Sequence, residues 1–135
     1  MANNISIRLD TAKLDRLIKS VPNETAELIE ETAYGVETKA KVSIQSGSKT
    51  GRVYIRNGRS HRASAPGEAP ATDTGALVNS IRALKRNRFL YRVNVGQLYG
   101  VYLEFGTSRM APRPFLTPAV EKERKDFMKA LRDLI

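Results

Sequence analysis

Cysteine and tryptophan are absent from this 135-residue sequence, and His61 is its single histidine. Without thiols, the chain cannot form a disulfide scaffold, a thiolate zinc site, an iron–sulfur centre or a catalytic cysteine. One imidazole also excludes a zinc site built from several histidines. We therefore predict no metal site, and because no cofactor motif occurs either, no cofactor.

Long hydrophobic runs are also missing. The longest apolar stretch, residues 98–103, is far shorter than the roughly 20 residues that a membrane-spanning helix needs. Residues 1–20 contain no continuous apolar segment of the kind found in secretory signals. We expect one soluble, intracellular domain covering residues 1–135, with no membrane contact.

Acidic residues are scarce and unevenly distributed. The chain has 14 Asp and Glu against 23 Lys and Arg, which gives a net charge of +9. Residues 39–67 and 82–103 contain no acid, whereas residues 22–38 contain five glutamates and no Lys or Arg. This segregation predicts contact with a polyanion or with an acidic face of a partner. For any single residue, a solvated surface remains the alternative.

Apolar spacing predicts most of the regular structure. A short helix is expected after a cap at Asp10 or Thr11, ending at Pro22, and a longer helix follows from there to Gly47. A last helix is expected from about Phe115. Alternating or β-branched segments predict strands at residues 5–9, 81–85 and 89–95.

The dipeptide Asn57-Gly58 lies between β-forming residues, which is typical of a hairpin with a two-residue turn. That turn places Arg56 opposite Arg59 and Tyr54 opposite His61. Like charges in opposition are unfavourable, so we predict that this hairpin, residues 50–63, projects and meets an anion or acidic surface, or stays mobile. The candidate residues for contact with DNA or a partner are Arg52, Arg56, Arg59, Arg62, Lys85, Arg86 and Arg88.

These elements together predict an α+β fold. We expect an antiparallel sheet of about four strands, with the long helix of the N-terminal half and the C-terminal helix packed on it. The basic hairpin would extend from this body.

Three fragments resemble parts of catalytic motifs, and each has a simpler structural reading. The run Asp73-Thr74-Gly75-Ala76 matches the loop of dimeric aspartic proteases, but a proline-bearing connector precedes it, so Asp73 reads better as a helix N-cap. Residues 47–51 lack the spacing of a phosphate loop and read better as a helix end followed by a turn. His61, Ser64 and Asp73 have no spacing that would orient a nucleophile. We predict no catalytic residues and no enzyme activity.

Glu104 is the one acid in an otherwise basic region, so a bidentate pair with Arg109 or Arg113 is expected there. Gly106 permits a left-handed stop of the preceding helix. Pro112 and Pro114 stiffen the approach to the last helix, where Phe115 and Leu116 anchor in the core. This segment could equally be a folding element with no partner surface.

Two stretches, residues 63–81 and 99–119, resemble the head–tail joining or tail-completion family of tailed bacteriophages, which includes minor tail and neck proteins. The resemblance extends over about residues 49–120 and is only architectural over the long helix and the last helix. Its main marks are Asp73-Thr74-Gly75 at a helix start, Glu104-Phe105-Gly106-Thr107, and Arg113-Pro114-Phe115-Leu116.

The resemblance implies a structural virion protein that joins copies of itself into a ring, expected to be hexameric, in the neck of the phage. A monomer before docking is compatible with it. The implied partners are connector or head-closure proteins on one side and tail-terminator or tail-tube proteins on the other, with double-stranded DNA passing through. The implied location is the virion neck or tail, and the host cytoplasm during assembly. The alternative is a free nucleic-acid-binding protein that uses the hairpin at residues 52–62.

Overall fold

The computed structural model describes residues 12–47, 49–71 and 75–134, except for the side chains of Lys13 and Arg56. Four sequence predictions lie outside the described residues: the strand at 5–9, the helix caps Asp10 and Thr11, and the N-cap Asp73.

The described residues form an α+β fold, as predicted. The elements are α1 (Ala12–Ser20), α2 (Pro22–Ser46), β1 (Val53–Arg56), β2 (Arg59–Arg62), α3 (Ala76–Ser80), β3 (Ile81–Asn87), β4 (Leu90–Val95), α4 (Leu98–Phe105) and α5 (Thr117–Asp133). Over the described ranges, no helix combines the length and the apolarity required to cross a membrane.

Helix α2 is the central element, and its predicted start and end are confirmed. Pro22 occupies the first turn, where its missing N–H costs nothing, and the helix ends at Gly47. Its 25 residues extend about 37 Å at the usual rise per residue. Helical spacing brings four apolar side chains onto one buried face: Ala33, Val36, Ala40 and Ile44.

The predicted sheet of about four strands is wrong. The described strands form two separate antiparallel pairs, β1–β2 and β3–β4. Val53, Tyr54 and Ile55 of β1 are all exposed, so the first pair has no buried face. Because little apolar area would be removed from water, nothing drives this pair to join the other.

The β3–β4 pair packs against α2 with one face. Ile81 opposes Val95 and Ala83 opposes Val93 across the pair. The carboxylate of Glu37 on α2 accepts a hydrogen bond from the backbone N–H of Ala83 at 2.9 Å. One glutamate of the acidic segment is therefore used inside the chain, as a link between α2 and the edge of the sheet.

Helix α5 packs mainly along α2 and not, as expected, on the sheet. Lys39 of α2 forms an ion pair with Glu123 at 2.7 Å and with Asp126 at 3.6 Å. The hydrogen bond to Glu123 raises the pKa of Lys39 above its ordinary value. Gly35 lets this glutamate lie across α2, because a Cβ there would come within 2.5 Å of the carboxylate.

The main buried cluster lies where α2, α3, the β3–β4 pair and the start of α5 meet. Ile81 and Val95 from the sheet and Phe115 from the α5 approach each have 0% exposure. A second cluster joins α1 to the end of α5 through Leu17, Phe127 and Leu131. The chain therefore closes its core by long-range contacts between its two ends and its centre.

We expect Ile81→Ala to lower the free energy of unfolding by about 2–5 kcal/mol, because it leaves a cavity in this cluster. Leu84→Ala, on the same strand but 40% exposed, should cost less than about 1 kcal/mol. Urea denaturation followed by circular dichroism measures both. Similar losses in the two variants would contradict the assigned core.

Candidate functional site

The two sequence stretches that carry the family resemblance meet in the structure. A Cβ at Gly100 of α4 would lie 2.6 Å from Val95 Cγ1 and 3.3 Å from Leu77 Cδ1, so this glycine allows α4 to approach α3 and β4 closely. The N–H of Gly67 donates to the carbonyl of Pro112 at 2.9 Å, which joins the connector of the first stretch to the loop of the second. The two stretches thus form one region of the structure.

Glu104 is the buried polar centre of this region, with 4% exposure. Its Oε2 accepts hydrogen bonds from the backbone N–H groups of Phe115 at 2.8 Å and Leu116 at 2.9 Å. Its Oε1 accepts one from Thr117 at 2.7 Å. Helix α5 has no side-chain cap of its own, so Glu104 satisfies N–H groups at its start and places a negative charge at the positive end of its dipole.

The predicted pair between Glu104 and an arginine is wrong. Arg109 is exposed, and Arg113 donates its backbone N–H to the carbonyl of Leu103 at 2.6 Å while its side-chain Nε is buried without a partner. Backbone donors at a helix start are already positioned by the chain and need a buried acceptor, so they bind the carboxylate without ordering a long side chain.

One feature of the sequence is consistent with the capping of α5 by Glu104. Residue 116 precedes the helix that begins at Thr117, and it is Leu, where Ser, Thr, Asp or Asn is the usual cap. A helix start without such a residue, close in sequence to the one acid of a basic region, indicates a cap supplied from a distance.

Gly106 and Thr107 form the turn after α4. Gly106 has φ 75° and ψ 178°, so the predicted left-handed stop is wrong: φ is positive, but ψ is extended, a conformation that only glycine adopts readily. The N–H of Thr107 donates to the carbonyl of Met110 at 2.8 Å, and its Oγ1 accepts a bond from the N–H of Arg109 at 3.2 Å. Pro112 and Pro114 follow in a segment without helix or strand, as predicted.

The outer face of α4 is apolar and exposed. Leu98, Tyr102 and Phe105 follow one another at helical spacing with 52%, 47% and 62% exposure, and Tyr99 lies beside them at 43%. Phe105 therefore does not anchor the fold, whereas Phe115, at 0%, does. We call these four residues the α4 face.

Helix α3 begins later than the sequence predicts. Its first residue is Ala76 and its N-cap is Gly75, whose φ of 78° suits a glycine. Leu77 and Ile81 are buried, as expected. The catalytic readings of Asp73 remain untested, because that residue lies outside the described part.

The β1–β2 hairpin has the predicted turn and register. Asn57 and Gly58 have φ of 53° and 75°, and Arg56 pairs with Arg59 and Tyr54 with His61. The rings of Tyr54 and His61 stack with centroids 5.7 Å apart. The candidate contact residues with described side chains are all exposed: Arg52, Arg59 and Arg62 on this hairpin, and Lys85, Arg86 and Arg88 on β3–β4 and its turn. The two hairpins pair only within themselves, so these residues do not share a sheet.

The root of the hairpin is tied to the end of α2. Lys49 Nζ donates to the carbonyls of Ser43 at 2.9 Å and Ala69 at 2.8 Å, and burial lowers the pKa of Lys49 below its ordinary value. The carboxylate of Glu68 accepts bonds from the N–H groups of Thr50 at 2.9 Å and Ala65 at 2.6 Å. These contacts favour a helix end and turn over a phosphate loop, because Lys49 is already occupied.

Comparison with known proteins finds no family model, no curated protein and no solved structure that matches this chain. Across the residues that the structure describes, no group of three His, Asp or Glu side chains could hold a metal ion. The described residues present three distinct surfaces: the α4 face, the basic hairpin and the acidic side of α2.

Glu104→Gln should lower the free energy of unfolding by about 2–4 kcal/mol, because the amide NH₂ would meet a backbone N–H that now binds a carboxylate oxygen. Glu121→Gln, an exposed position on α5, should leave stability unchanged within about 0.5 kcal/mol. Chemical denaturation of both variants measures the difference. Equal effects would contradict the capping role of Glu104.

Proposed function

We propose that this chain is a structural subunit of a tailed-bacteriophage neck, where copies of it assemble into a ring between head and tail. The sequence support is the resemblance of residues 63–81 and 99–119 to the head–tail joining family. The structural support is that these two stretches pack into one region, built around Glu104, that exposes the α4 face.

The α4 face is the observation that carries the proposal. Exposed apolar residues that form a contiguous patch are typical of protein interfaces, and this patch lies on the helix whose other side holds Glu104. The hydrogen bonds that Glu104 accepts from the start of α5 hold α4 in position before any partner binds. This reduces the entropy lost on association. In this proposal, Glu104 and the α4 face provide a preformed binding surface and not a catalytic site.

In this proposal, the partners are connector or head-closure proteins on the head side and tail-terminator or tail-tube proteins on the tail side. Double-stranded DNA passes through the ring. Exposed arginines and lysines would contact its phosphates loosely and without sequence preference. The protein would act in the virion neck, and in the host cytoplasm while the particle assembles.

One observation favours the alternative, a free nucleic-acid-binding protein. The hairpin presents Arg52 and Arg59 to solvent on the face that carries the stacked rings of Tyr54 and His61, a combination that suits a nucleic acid strand. A titration of the isolated protein with DNA at increasing salt separates the two functions. Submicromolar binding at physiological salt would favour the alternative, and weak, steeply salt-dependent binding would favour the ring.

We expect Phe105→Ser to weaken self-assembly about tenfold or more, because it removes the aromatic ring that is most exposed on the α4 face, the proposed interface. Met128→Ser, at an exposed apolar position on α5, is the matched control and should assemble as the unchanged protein does. Sedimentation velocity over a range of concentrations, with and without neck proteins, measures assembly.

A protein that stays monomeric under all these conditions would contradict the ring. Equal assembly of Phe105→Ser and the control would contradict the role of the α4 face. Capsid, connector and tail-tube reading frames beside the gene would support the phage assignment independently.

A further inference from the structure

The outward side of α2 contains an open groove of about 560 Å³. It lies between the acidic half of the helix and the side of α5 at Glu123. The residues used below are Glu27, Glu30, Glu31, Tyr34 and Thr38. Gly35 contributes no side chain, and the carboxylate of Glu123 lies over it.

This groove carries negative charge that the described chain does not neutralise. Glu123 is already paired with Lys39. Among the described residues, no Lys or Arg forms an ion pair with Glu27, Glu30 or Glu31. The groove therefore presents these three carboxylates beside the ring of Tyr34, which suits a cationic ligand with some apolar surface.

The β1–β2 hairpin has the complementary character. Residues 50–63 contain four arginines and no acid, and Tyr54, at 40% exposure, adds an aromatic ring on the face that carries Arg52 and Arg59. Both outer edges of the pair lack a neighbouring strand in the described chain. An isolated two-stranded hairpin is only marginally stable, so it gains order by docking.

The hairpin does not fill the groove of its own chain. None of its residues lines that groove. Its root is held at Ser43 by Lys49, whereas Glu31 lies 12 residues earlier on α2, about 18 Å away along the helix axis. The hairpin of a second copy is held by that copy's own α2, so this tether does not keep it away from the groove of the first copy.

We propose that the β1–β2 hairpin of one copy binds the acidic groove on α2 of a second copy. The donor and acceptor surfaces differ, so each copy binds one neighbour with its hairpin and another with its groove, an arrangement that can close into a ring. The proposal rests on the ring assembly proposed above and names one of its contacts.

Charge reversal in two variants tests the contact. The hairpin variant carries Arg52→Glu, Arg56→Glu and Arg59→Glu, which leaves Arg62 as its one arginine and makes its net charge negative. The groove variant carries Glu27→Lys and Glu31→Lys. Each alone should assemble about tenfold or more weakly, because like charges now meet. An equimolar mixture should regain assembly, because every hairpin then finds a groove of opposite charge in an alternating ring.

Lys122→Glu, Lys125→Glu and Lys129→Glu together are the control, since they make the same charge change at exposed positions of α5 and should leave assembly unaltered. Sedimentation velocity at physiological ionic strength gives the assembly state, and circular dichroism verifies that each variant is folded. A cysteine introduced as His61→Cys in one copy, on the hairpin face that carries Arg52 and Arg59, and a cysteine introduced as Thr38→Cys in another copy should form a mixed disulfide, because the chain has no other cysteine.

The outcomes separate this contact from the ring itself. If the unchanged protein assembles and each charge variant assembles equally well, the contact is wrong and the ring stands. If both variants fail and their mixture fails too, the hairpin and groove do not bind each other. If the hairpin variant assembles normally and loses only DNA binding, its ligand is nucleic acid. An unchanged protein that never assembles overturns both proposals.

Discussion

The hydrogen bonds between the carboxylate of Glu104 and the first N–H groups of α5 determine the arrangement of the C-terminal half. They position Phe115 and Leu116 in the core and direct α5 along α2. They also orient α4, because its inner side carries Glu104 and its outer side is the α4 face. A charged group buried this deeply is stable only because every oxygen has a donor. One side chain therefore links the fold to the surface used for the proposed function.

Features encoded by neighbouring residues were predictable from the sequence. The apolar spacing of α2 and the turn at Asn57-Gly58 depend on local geometry, and the structure confirms both. Strand association and the partner of Glu104 depend on contacts between distant residues, and both expectations were wrong. The exposure of Phe105 was also not predictable, because a phenylalanine in a motif reads equally well as a core anchor or a contact residue. The sequence could suggest the functional segment but not which of its side chains faces outward.

The net charge of +9 is best understood through its distribution. Within the chain, Glu37 links α2 to β3, and Lys39 links α2 to α5, so these charged groups serve the fold. The glutamates nearer the start of α2, and Arg52 and Arg59 of the hairpin, form no ion pair among the described residues. Opposite charges left free at separate places favour contact between molecules over contact with a single polyanion, although both act through the same arginines.

The register of the β1–β2 hairpin sets Arg56 opposite Arg59 next to the turn. Unpaired strand edges invite edge-to-edge pairing, which leads to fibres, and clustered positive charge near the tip opposes the approach of a second identical tip. Symmetric pairing of two hairpins is therefore disfavoured, and any assembly through this element would have to be directional. A ring built in that way has a polarity around its circumference. Its growth would stop only on closure, which distinguishes it from an open filament of the same subunits.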